Sequence, residues 1–214
     1  MRIDSISIYD PEYTKRLEPA SPSELFYIGD IGLLNTPSVA VIGSREVTSR
    51  DVQVAQDVGY FLARQGYTIV NGLALGCDTE TIRGALSADG KVIAVMPCGL
   101  DYIYPSQNRE LVKEILAKGG CLISEYPPGN RPNKQQFVLR DRIQASISDA
   151  CCVIATGTTG GTMHTVKFAK KYGKPTLCFN DVKVEKRSGN LMLIENGVCK
   201  PFSTGRELMS FIEL

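Results

Sequence analysis

Six short apolar runs punctuate the chain: SVAVI (38–42), YTIVN (67–71), KVIAVM (91–96), CLIS (121–124), ACCVIA (150–155) and PTLCF (175–179). None alternates apolar with polar positions, so each predicts a strand buried on both faces, as in a parallel sheet covered by helices. The segments between them carry helical spacing instead. Val52, Ala55, Val58, Gly59 and Leu62 recur on one helical face, and comparable segments lie at about 78–88, 107–118, 136–148 and 162–172. Thr48, followed three positions later by Asp51, predicts a helix-opening cap. The alternation predicts an α/β fold, a doubly wound and mostly parallel sheet with helices on both faces and right-handed crossovers. Two stretches break the rhythm. Residues 1–37, with Pro11, Pro19, Pro22 and Pro37, predict an irregular lead-in packed on the core, with an extra strand at LFYI (25–28). Residues 38–214 form the main unit, interrupted by EYPPGNRPNKQQ (125–136), a connection long enough to be functional or mobile.

Composition narrows the picture. With 214 residues, 43% of them hydrophobic and 22% charged, the chain can bury a substantial single core. Its formal net charge of +1 gives no general field, so any anionic partner must be held by a local cluster. No window approaches the roughly 18 consecutive apolar residues of a membrane span, and Met1-Arg2-Ile3-Asp4 opens no signal peptide; a cytoplasmic protein without membrane contact is expected. The seven cysteines include no CxxC pair and several lie inside apolar runs, which predicts buried free thiols rather than disulfides or zinc.

In an open parallel sheet, ligands bind beyond the carboxyl ends of the strands, where the strand order reverses. Three glycine-bearing turns fall at such ends: Gly43-Ser44-Arg45, the turn from Asn71-Gly72 to Gly76, and Thr156 to Thr162 with Gly157, Gly160 and Gly161. Converging backbone N–H groups and a helix N-terminus there would cradle an anion. Strand-to-helix turns also need glycine for purely local reasons. Neither GxxxxGK[ST] nor GxGxxG is present, which counts against a Walker-type ATPase and an ordinary NAD enzyme. Arg45, placed directly after a strand and a Gly-Ser turn, suits phosphate better than a surface carboxylate.

A second cluster lies in RPNKQQFVLRDRIQ (131–144). If this segment is helical, Lys134, Phe137 and Arg140 share one stripe while Leu139, Ile143 and Ile147 face the core. Two cations flanking an exposed aromatic ring suit unpaired nucleic acid, with phosphates on the cations and a base on the ring. A buried Phe137 with solvated arginines is the equally open alternative. Catalytic chemistry has little support. His164 is the only histidine, no metal-ligand spacing accompanies it, and Asp78 is placed to cap the helix that begins there. No cofactor and no metal are expected.

The order of motifs resembles the DNA-processing protein A family (DprA, also called Smf). LFYIGDIGLL, AVIGSR, NGLALGCDTETIRGAL, VIAVMPCGLDYIYPSQNREL, LISEYPPGNRP, FVLRDRIQASIS and GNLMLIENG follow the family's order from about Leu25 to Gly197. The resemblance implies an extended Rossmann-like fold, single-stranded DNA as ligand, a homodimer, and delivery of the strand to the recombinase RecA during natural transformation, with no catalytic step. It implies that Gly43, Ser44 and Arg45 form the family's GSR turn. It also implies that Lys134 and Phe137 grip the strand, beside Arg140 and Arg142 of the RNR-type signature. Gly72, Gly160, Gly161 and Thr162 complete the expected site. The chain departs from the family pattern at Ile82, where histidine is usual, at Asp141, where asparagine is usual, and at Thr159, where arginine is usual. Asn180-Asp181 replaces a usual proline-glycine, and the chain is expected to be the bare core, lacking the family's flanking helical modules. Two other readings remain: a sensor that binds a small nucleotide in the same pocket, and, weaker, a LOG-type nucleoside-monophosphate phosphoribohydrolase. The latter needs Thr-x-x-Glu after the glycine turn, and Thr162 is followed three positions later by Thr165.

Overall fold

Each apolar run of the sequence becomes a strand of one sheet. The structure, a computed structural model, describes residues 2–11, 13–180 and 188–212. In chain order these six strands, all parallel, are β3 (Ser38–Ile42), β4 (Thr68–Asn71), β5 (Val92–Met96), β6 (Cys121–Ser124), β7 (Ala150–Val153) and β8 (Thr176–Phe179). The intervening helices are α1 (Ser49–Arg64), α2 (Cys77–Ser87), α3 (Arg109–Ala117), α4 (Lys134–Ile147) and α5 (Gly161–Lys171). Three further strands escaped the apolar pattern or only grazed it: the short edge strands β1 (Asp4–Ser7) and β9 (Lys200–Phe202), and β2 (Glu24–Gly29, around the expected LFYI), which lies inside β1. Two further helices, α6 (Ser188–Glu195) and α7 (Gly205–Ile212), flank β9.

The nine strands among the described residues run in the order β1-β2-β6-β5-β4-β3-β7-β8-β9. The order reverses between β3 and β7, which pair in parallel from Val39 with Ala150 to Ile42 with Val153. β1 and β2 are antiparallel additions beside β6. Alternate residues of each central strand feed opposite layers. Val39, Val41, Ile69, Ala94 and Leu122 pack with buried residues of α1, α2 and α3, whereas Ala40, Ile42, Cys151 and Val153 meet Val166 and Ala169 of α5. Val70, Ile93 and Ile123 meet Ile143 and Ile147 of α4 together with Leu17, Leu25 and Leu34 of the lead-in. Burial on both faces is why these strands show no polar alternation.

Local signals hold where their partners are local. Thr48 and Asp51 form the expected capping box, and α4 opens two residues earlier than its periodicity suggested because Asn133 and Gln136 form a second one. The connection at 125–133 is tied down: Gly99 N–H donates to Asn130 O at 2.9 Å and Gly129 N–H to the Asp101 carboxylate. All seven cysteines are buried free thiols. The CLIS strand, β6, lies between β2 and β5 and is fully buried, so it offers no surface to a second copy of the chain. Among the described residues no helix is long and apolar enough to cross a membrane. Asp181 lies outside the described residues.

The lead-in is anchored by Arg16, whose guanidinium donates to Ile147 O at 3.0 Å and pairs with Asp149 at 3.0 Å, and by Leu17, which is wholly buried. Truncating a fully buried leucine costs about 2–5 kcal/mol. Leu17→Ala is therefore expected to lower the midpoint of a single urea unfolding transition for the whole chain. A separate early transition, with the main one unmoved, would mean that the lead-in folds on its own.

Candidate functional site

The turns after β3 and β7 meet across the point of strand reversal and open a cavity of about 630 Å3. Its wall includes Gly43, Ser44 and Arg45 from the first turn, Gly160, Gly161 and Thr162 from the third, and Lys134, Phe137 and Arg140 from α4. Nine of the ten residues expected from sequence thus line one space; Gly72 lines a small recess beside it, with Arg45, Tyr104 and Phe137. Arg45 and Lys134 are exposed, Phe137 is half-buried and Arg140 is buried. Among the described residues no carboxylate lies within ion-pair distance of Arg45 or Lys134. The Arg45 guanidinium instead stands 5.5 Å from the centre of the Phe137 ring, which also meets Tyr104 edge-on at 5.3 Å. Cation and ring are thereby held together at the mouth.

The three turns differ in what they offer. In the third, a side chain added at Gly160 or Gly161 would meet open space, and the N-terminus of α5 has no side-chain cap. Its amide donors and partial positive charge therefore remain for an anion in the cavity. The first turn is closed by its own neighbours: Ser44 N–H donates to Ala155 O at 2.7 Å, and a Cβ on Gly43 would lie 2.5 Å from Cys77 Sγ. What this turn contributes is the placement of Arg45. The second turn corrects the expectation that three turns jointly cradle phosphate. Gly72 and Ala74 N–H donate to Asp78 Oδ2 at 3.0 and 3.2 Å, so an internal carboxylate already fills that cradle. Asp78 thus ties α2 back to the preceding turn rather than capping its own helix, whose N-cap, Gly76, makes no side-chain bond. Gly72 lacks a side chain because a Cβ there would lie 1.7 Å from Arg140 Nη1.

Arg140 also differs from the expected exposed grip. Its Nη1 donates to Gly72 O at 2.6 Å and Val95 O at 2.7 Å, and its Nε to Asp141 Oδ1 at 3.0 Å. One cation thus pins the middle of α4 to the carboxyl ends of β4 and β5. Arg142 is paired with Glu125, Nη1 to Oε2 at 2.9 Å with a second contact from Nη2 to Oε1, and is not free for phosphate. On the opposite stripe Ile143 and Ile147 are buried as expected, but Leu139 is 44% exposed, because α4 turns that position away from the sheet. Tyr104, Gln144 and His164 line the cavity without having been singled out for it, beside Asp141 and Thr159, two departures from the family pattern. The Phe137, Asp141 and Gln144 spacing of i, i+4, i+7 is the signal that places them on one face.

Burial dominates the electrostatics of the floor. It pushes the Asp141 carboxyl up to about 7, Arg140 only partly offsets this, and the neighbouring Asp78 charge adds to it. Asp78 is raised too, chiefly by burial, with Arg140 and the Gly72 and Ala74 amides opposing. The 3.0 Å pair with Arg140 would by itself lower Asp141, but one guanidinium is shared between two buried carboxyls, so desolvation prevails.

The family model described as DNA recombination-mediator protein A matches residues 4–213, so a Rossmann-like α/β protein with an anion-ready cavity at its strand reversal belongs to that family. The chain is 35% identical to Smf of Synechocystis over 88% of its own length and 49% of that protein's, so it spans about half of that relative. The solved DNA processing protein A of Streptococcus pneumoniae superposes with a TM-score of 0.89 at 33% identity, covering 98% of this chain and 74% of that one. DNA processing protein A of Helicobacter pylori, solved to describe its "unique single-stranded DNA binding mode", superposes with a TM-score of 0.86 at 30% identity, covering 98% and 94%.

Asp141 holds its proton to higher pH in the folded chain than an exposed carboxyl with its ordinary value of 3.8 does. The fold therefore binds the extra proton between about pH 4 and 7, and the contribution of this group to stability falls as pH rises through that window. Asp141→Asn removes the titration. Its melting temperature relative to the native chain is expected to climb from pH 5 to pH 8, by about 2–4 °C per kcal/mol recovered. A difference that stays flat across that range in thermal denaturation would contradict the assignment.

Proposed function

We propose that the cavity holds single-stranded DNA, in a protein that protects the strand and passes it to the recombinase RecA, working as a homodimer. The observation that carries this reading is the convergence of Arg45, Lys134 and the uncapped N-terminus of α5 around the half-buried Phe137 ring. Two exposed cations and backbone amides suit successive phosphates, and the aromatic face suits an unpaired base. A duplex would keep its bases stacked away from that ring. The Helicobacter pylori relative, with its single-stranded DNA binding mode, supports the same ligand, as does membership of a family described as recombination mediators. RecA and the dimer rest on the family resemblance alone. The chemistry of the wall supplies binding and no catalytic step: where the phosphoribohydrolases carry glutamate, α5 carries the buried Thr165.

Fluorescence anisotropy with a labelled oligonucleotide tests the reading. Affinity is expected to fall steeply with salt, through release of condensed counterions. Arg45→Ala should reduce the slope of log K against log salt by about 1, and Phe137→Ala should cost about 1–3 kcal/mol per stacked base. Unchanged affinity in both variants would place the strand elsewhere, and tight mononucleotide binding without oligonucleotide binding would favour a nucleotide sensor.

A further inference from the structure

The floor of the cavity carries polar chemistry that phosphate gripping leaves unused. Gln144 is 2% exposed and lines the cavity, yet its Oε1 has no hydrogen-bond partner. Its orientation is fixed, because Nε2 donates to Asp141 Oδ1 at 2.9 Å and the reversed amide would set two acceptors against each other. Asp141, 5% exposed, takes both the Arg140 Nε and the Gln144 Nε2 bonds on Oδ1. Once Asp141 is ionised, above the value of about 7 to which burial raises it, its Oδ2 and Gln144 Oε1 are two neighbouring acceptors left for a ligand. A buried acceptor without a donor is unfavourable, so a site of this kind selects what fills it.

We propose that this floor reads one base of the bound strand, accepting from an edge with two adjacent N–H donors, as guanine presents with N1–H and its 2-amino group. The inference rests on the nucleic-acid reading above and deepens it. Phe137, Asp141 and Gln144 stand at i, i+4 and i+7 on α4, so the ring at the mouth and the acceptors below it are separated by about 10 Å along one helical face. That span suits a nucleotide lying with its phosphate at Arg45 and the α5 N-terminus and its base edge inward. The volume, about 630 Å3, falls within the range of small-molecule sites. Thymine is a poor fit, since its single N–H can meet only one of the two acceptors while a flanking carbonyl oxygen opposes the other. Adenine and cytosine each match one acceptor and oppose the other. A carboxylate beside an amide oxygen at this spot asks for donors on both positions.

The test compares two 15-mers by anisotropy at pH 8, where Asp141 is ionised, one all thymine and one with guanine at every third position, on the native chain and on Gln144→Leu and Asp141→Asn. The native chain is expected to bind the guanine-bearing strand at least about fivefold tighter, and the ratio should fall to about one in Gln144→Leu. Asp141→Asn, which exchanges an acceptor for a part-donor, should reduce the ratio even if the leucine variant folds poorly. Equal affinities in the native chain, or a ratio that survives both substitutions, would overturn the proposal while leaving strand binding intact. If neither 15-mer binds, the strand reading fails instead, and thermal shift with guanosine and thymidine monophosphates decides this one. A larger stabilisation by the guanosine nucleotide would support it, and equal or absent shifts would overturn it.

Discussion

The site depends on one buried cation. Arg140 Nη1 bridges Gly72 O and Val95 O, the ends of two adjacent strands, while its Nε holds Asp141 on its own helix. This clamp fixes the depth and rotation of α4 against the sheet, and with them the positions of Lys134 and Phe137 at the cavity mouth. Its demands spread outward. Gly72 can carry no side chain, Asp78 must sit within reach to share the charge, and the turn after β4 closes on Asp78 instead of on a ligand. A buried charge of this sort is retained for geometry as much as for stability, since removing one partner strands the others in a dry environment.

Around that fixed floor the cavity has two electrical layers. Arg45 and Lys134, exposed and without carboxylate partners among the described residues, act at the surface, where salt screens them. The Arg140, Asp141 and Asp78 cluster lies in a drier layer, where desolvation outweighs attraction and lifts both carboxyls. A chain with a net charge of only +1 can therefore present a local anion site without a general positive field. Its location follows from topology: the turns after β3 and β7 face each other because the sheet reverses between those strands.

Much of this was legible in the sequence. Runs such as SVAVI and CLIS mark β3 and β6 to the residue because strands buried on both faces leave an unbroken apolar signature. β1 and β9, of four and three residues at the edges, leave none. Among the cavity-lining residues, turn position and helical spacing place Arg45, Lys134 and Phe137, while Arg140 lines the cavity as a buried clamp and not as the exposed grip expected of it. Spacing places it on the right stripe but is blind to a carbonyl pair waiting on two other strands. Glycine is ambiguous in the same way, since Gly72 makes room for the chain's own guanidinium and Gly160 leaves room for something else. Tyr104 lies in a loop without periodicity, and helical spacing puts Gln144 on the face of Phe137 and Asp141 without marking the unpaired acceptor it carries.

The central claim is that the rim formed by the turns after β3 and β7 receives the nucleic acid backbone. Backbone amide shifts recorded by NMR during titration with a short single-stranded oligonucleotide test it most directly. The account predicts the largest changes at Gly160, Gly161 and Thr162, with Arg45 and Lys134 following the same saturation curve. Changes confined to the groove between α1 and α7, lined by Val54, Phe61 and Leu208, with the rim unmoved, would contradict it.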